Sequence, residues 1–122
     1  MSDPIAQIRE SRDKALDALT RAYDAIGDQI AQTTQIGPTL NALTKRYEDL
    51  RSERAAIFEA ATEEAMALPG VVAAVATLND LAQQMNDTAA ELPNANKLLT
   101  TAGAILSLGQ KFADAIANAR KG

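Results

Sequence analysis

Two short stretches hold the side chains best placed for chemistry. "FEAATEE", residues 58–64, brings Glu59, Glu63 and Glu64 together, and "KRYEDLRSER", residues 45–54, crowds Lys45, Arg46, Arg51 and Arg54 into ten positions. Carboxylates one helical turn apart could share a divalent cation or divide the roles of acid and base, and a basic run could follow phosphates. The spacing favours neither. Glu48, Asp49 and Glu53 interleave with the basic residues at i+3 and i+4, which pairs charges along an exposed helix face. Glu63 and Glu64 face a competing structural role as partners of Arg12, developed below.

The chain has no histidine and no cysteine. Ser-His-Asp and Cys-His nucleophiles, thiolate zinc sites, histidine phosphotransfer and carboxylate-histidine di-iron centres therefore cannot be built from it. No Gly-x-Gly-x-x-Gly or Gly-Lys-Ser/Thr loop exists to cradle a phosphate. Arg12, Arg21, Arg46 and Arg54 supply cations, but in no ordered pattern that would grip a dicarboxylate between helices. The expectation is a protein that is not an enzyme and carries no cofactor and no metal.

Positioning such residues falls to helices. In 122 residues there are 26 alanines, six glycines, four prolines and four aromatic side chains, so helix formers dominate and strand formers are scarce. The length suits one domain over residues 1–122 with a single core. A net charge of -4 and a pI near 4.7 argue against non-specific attraction to nucleic acid or anionic lipid. The opening "MSDPIAQIRESRDK" lacks a basic leader followed by an apolar core, no apolar run approaches the length of a bilayer crossing, and cysteine is absent. The cytoplasm is the expected location.

The apolar pattern predicts an all-α fold: an antiparallel four-helix bundle, up-down-up-down, with helices near 4–35, 39–68, 71–91 and 95–120. Ser2 or Asp3 caps the first helix and Pro4 opens it. Gly37 is expected as a left-handed C-terminal cap and Thr39 as the next N-cap. Leu40, Leu43, Tyr47, Leu50, Arg54, Ile57, Ala61 and Leu68 form a nearly unbroken heptad. The first hairpin should therefore be long and coiled-coil-like, with residue i roughly opposite 75 minus i. That register sets Ile26 against Leu50, Leu19 against Ile57 and Ile8 against Leu68. It also sets Arg12 beside Glu63 and Glu64, and Arg54 near Asp17 and Asp24, as structural ion pairs across the seam.

Charge is uneven. Residues 1–64 hold 20 of the 28 charged side chains, and "ALPGVVAAVATLN", residues 67–79, holds none. Val72, Leu81, Leu99, Leu106 and Leu108 lie beside the inward stripes of the last two helices, widening faces that one hairpin partner would not cover. They are the expected partner-binding residues of a protein interaction or adaptor module that associates with a protein partner or with a second copy as a homo-oligomer. The alternative expectation is a membrane-active protein whose last two helices enter a bilayer as an apolar hairpin.

Overall fold

The computed structural model describes residues 3–93 and 97–121. Among them the chain is all-helical and without strands. Six helices pack against one another: α1 (Pro4–Gln32), α2 (Pro38–Ala60), α3 (Glu63–Met66), α4 (Pro69–Ala73), α5 (Val75–Ala89) and α6 (Leu98–Lys121). The expected Ser2 cap and the expected start of the last helix at 95 lie outside the described residues.

The Asp3 side chain accepts from Ile5 N at 3.1 Å and Pro4 occupies the first turn, as the sequence predicts for α1. The helix stops at Gln32 rather than 35. Thr33 turns extended, its hydroxyl donating to the Gln29 carbonyl at 2.7 Å and its N–H to Ile30 at 3.1 Å. Gly37 is not a left-handed C-cap. Its φ of 169° is extended backbone, and it stands as N-cap of α2, with Pro38 as the first helical residue in place of the expected cap at Thr39.

The larger departure lies at the far end of α2. The heptad runs on to Leu68, yet the helix ends at Ala60, and α3 and α4 replace its last two turns. The cause is local. Thr62 accepts from Ala65 N at 3.1 Å, and Glu63 and Glu64 occupy the positive first turn of α3, an N-terminal signature set inside an apolar periodicity. Pro69 then opens α4. Leu68, expected opposite Ile8, is the N-cap of α4 and remains 39% exposed.

Side-chain pairings give the helix directions. Arg9 meets Glu63, Arg12 meets Ala61 and Tyr23 meets Tyr47, so α1 and α2 run antiparallel in a register close to the expected one. Ser11 meets Asn79 and Lys14 meets Gln83, so α5 runs alongside α1 in the same direction. Arg46 lies on Gly103 and Arg120 reaches Glu59 and Ala60, so α6 runs alongside α2. α1 and α6 also pack on each other, whereas α2 and α5 are not neighbours to any extent. The α3–α4 segment therefore carries the chain from one corner of the assembly to the opposite one, passing over α1 and α6.

Ile8, Leu19 and Ile26 of α1, Leu50 and Ile57 of α2, Met66, Val71, Leu78 and Met85 of the middle segment, and Ile105, Phe112 and Ile116 of α6 are fully buried in one cluster. Gly109 marks its tightest point. A methyl there would meet Glu53 Cγ at 3.2 Å and Leu19 Cδ2 and Met85 Cε at 3.4 Å, on three different helices. A larger side chain would separate all three at once. Gly109→Val is expected to destabilise the fold by about 1–3 kcal/mol, the usual overpacking range, despite its better helix propensity. Thermal unfolding followed by circular dichroism should show the midpoint falling by roughly 4–10 °C.

Candidate functional site

Of the charged residues singled out across the first hairpin seam, Arg12 and Glu63 take part in ion pairs. Arg9, which the register did not single out, donates to both oxygens of Glu63, at 2.8 and 3.2 Å. That pairing holds the Glu63 carboxyl below the ordinary carboxylate range. Arg12 comes within 3.9 Å of Glu63, contacts Asp13 at 3.1 Å and donates to the Ala61 carbonyl at 3.4 Å. Glu64 is exposed and forms no ion pair among the described residues, so only Glu63 of the two expected partners is met.

Arg54 does not pair with Asp17 or Asp24, both of which are exposed. Its guanidinium lies 5.9 Å over the Tyr23 ring, and its Nε is buried without a hydrogen-bond partner. The ring fills the position across the seam where the register placed carboxylates. A cation over an aromatic face is the substitute.

The five expected partner-binding residues do not form one surface. Leu106 is only 6% exposed and belongs to the core, while Val72, Leu81, Leu99 and Leu108 are half-buried and packed against it. At 3.6 residues per turn Leu99 and Leu106 share a side of α6, whereas Leu108 projects about 160–180° away from both. Gly103, near Leu99 on the helix circumference, faces Arg46 of α2. The wide apolar face of α6 thus comes from its position between α2, α1 and α5, and a charge at Leu106 would act on stability before association.

The large apolar side chains that do reach solvent lie elsewhere: Ile36 in the α1–α2 loop is 91% exposed, Phe58 near the end of α2 is 56% exposed and Leu68 is 39% exposed. Sequence reasoning missed Phe58 although the signal was available. It falls next to Ile57 of the heptad and so points off the seam. Among the described residues no helix is long and apolar enough to cross a membrane.

Two of the surface grooves follow seams between long helices. One, of about 490 Å³, follows the α1–α5 seam and is lined by Gln7, Glu10, Ser11, Lys14, Asn79, Asp80 and Gln83. Here the buried Ser11 hydroxyl donates to Asn79, whose amide donates to Gln7 at 3.3 Å. The other, of about 460 Å³, lies on the α1–α2 seam between Tyr23, Asp24, Gly27, Asp28 and Tyr47. Its rings stack with centroids 4.0 Å apart. Hydrogen bonding with Tyr23, then burial, holds the Tyr47 phenol above its ordinary range. No group of three or more acidic side chains among the described residues is placed to hold a metal ion. Compared with protein families, curated proteins and solved structures, the chain matches none.

Among the described residues, Glu53 has the one carboxyl displaced upward. Burial beside α6 disfavours its charge, and Asp114 adds repulsion. A carboxyl whose folded-state pKa lies above the unfolded one costs stability once both states are ionised. The fold is therefore best served below the unfolded value and loses that advantage as pH rises through the folded one. Glu53→Gln is expected to raise the unfolding midpoint at pH 7 by about 1–2 °C, with the difference from the parent closing below about pH 4. A parallel series of melts against pH checks both the sign and the window.

Proposed function

We propose that the chain is a non-enzymatic helical bundle, its four long helices alternating in direction, that acts by binding another protein, a second copy of itself in the first instance. Phe58 carries this reading. Of the two phenylalanines, Phe112 is fully buried while Phe58 stands 56% exposed on a 23-residue helix whose inner face is anchored by Leu43, Leu50 and Ile57. A large aromatic ring held in water on a rigid element is the usual form of an interface anchor. The absence of histidine and cysteine supports a binding role over a catalytic one. Val72, Leu81, Leu99 and Leu108 would contribute only at the margins of such a contact, since the core already covers much of each.

Light scattering across a concentration series tests the proposal. The parent chain should show a concentration-dependent increase in mass, and Phe58→Glu should weaken that association about tenfold or more, as loss of a central anchor does. Helix content should stay unchanged, because the residue is outside the core. A parent chain that remains monomeric throughout the series would rule out self-association.

A further inference from the structure

The geometry points to a binding site for an organic cation, an alkylammonium or guanidinium group, in the groove between Tyr23, Asp24, Gly27, Asp28 and Tyr47. This inference does not depend on Phe58 or on the state of association. Three features of the groove converge on it.

The first is the aromatic column. Tyr23 stacks on Tyr47 at 4.0 Å between centroids, and Arg54 lies over the Tyr23 ring at 5.9 Å. The stack thus already holds one cation, at its Tyr23 end, and the ring at the other end lines the groove. Ring faces attract cations, and guanidinium and ammonium groups within about 6 Å are the usual occupants. The second is the cradle. Gly27 has no side chain, and a methyl there would come within 3.1 Å of Tyr47 Cε2. The Cε2 edge of Tyr47 can therefore come up against the α1 backbone, which leaves the ring's faces to Tyr23 and to the groove.

The third is the charge. Asp24 and Asp28, one turn apart on α1, both line the groove, both are exposed, and neither forms an ion pair or hydrogen bond among the described residues. Asp24 acts electrostatically on the Tyr47 hydroxyl, so its charge is felt at the ring. Arg51, one turn beyond Tyr47 on α2, acts on that hydroxyl more strongly and in the opposite sense, but pairs with neither aspartate. Two unpaired carboxylates beside a ring face complement a cation that carries an apolar stem, which a bare metal ion lacks.

Tyrosine fluorescence reads this site alone, because the protein has no tryptophan and both of its tyrosines line the groove. Titration with n-butylammonium chloride should give a saturable change in emission that n-butanol and an equal concentration of sodium chloride do not reproduce. Asp24→Asn with Asp28→Asn should weaken the response at least about threefold, as expected for exposed charge pairs, and Arg51→Gln should strengthen it. Circular dichroism serves to check that each variant keeps its helix content. An acetyl-Gly-Lys-Gly-amide tripeptide separates the sources: tighter binding than butylammonium assigns the cation to a lysine of another chain, and equal binding to a free amine. The inference fails if sodium chloride produces the same change, if neither probe acts, or if the double variant responds like the parent.

Discussion

The fold turns on the place where α2 stops. The last carbonyls of a helix have no partner within it and carry the negative end of its dipole, so a helix that ends against other elements needs donors brought to it. Here they come from both sides. Arg120 of α6 donates to the Glu59 and Ala60 carbonyls at 3.4 Å, and Arg12 of α1 donates to Ala61 at 3.4 Å. With those groups satisfied, the chain is free to leave the heptad and begin α3 at once. The Arg9–Glu63 pair ties the first residue of α3 to α1. Without the stop, the heptad would continue past the core and nothing would bring α5 to the far corner.

Crossing from α2 to α5 over the ends of α1 and α6 leaves those two helices as the central pair, and the composition of the seams follows. Small residues are required where helices on opposite corners meet. Ala15, Ala18 and Ala22 of α1 are fully buried, and α6 offers Gly109 to Leu19. The parallel α1–α5 seam must also be kept from sliding by one turn, which apolar contacts alone specify poorly. Ser11, buried in that seam with its hydroxyl on Asn79, and Lys14 on Gln83 supply directional contacts that a slipped register would break.

Much of this was legible in the sequence. The helical class, the cap at Asp3 and Pro4, the antiparallel first hairpin and the inward stripes of the last two helices, found buried as Leu78, Ala82, Met85 and Ala89 and as Leu98, Ala102, Ile105, Phe112 and Ile116, all follow from spacing. The break at Ala61 was not, because Thr62 with Glu63 and Glu64 reads equally as an exposed stretch of a continuing helix, and the donors from Arg12 and Arg120 that accompany the local cap come from distant residues. The five expected partner residues are scattered and partly covered for a related reason. A broad apolar helix face does not tell how many neighbours will cover it, and α6 has three long ones besides α4. Tyr23 and Tyr47 are 24 positions apart, and their stacking needs the hairpin register together with the space left at Gly27.

The distribution of charge takes on a different meaning in the folded chain. By composition the uncharged second half looks like the part reserved for a partner. Once folded, its apolar residues are enclosed on two or more sides, since α5 packs on α1 and α6, and α6 on α1, α2 and α5, but α1 of the charged half is enclosed as fully. The first hairpin holds 20 of the 28 charges with the α3 start, and also the most exposed isoleucine, the exposed phenylalanine and the tyrosine groove. Charged side chains on its outer faces keep such groups in water without a large contiguous apolar patch. The large apolar side chains left in water, Ile36, Phe58 and Leu68, belong to the first hairpin and to the segment that crosses from it to α5.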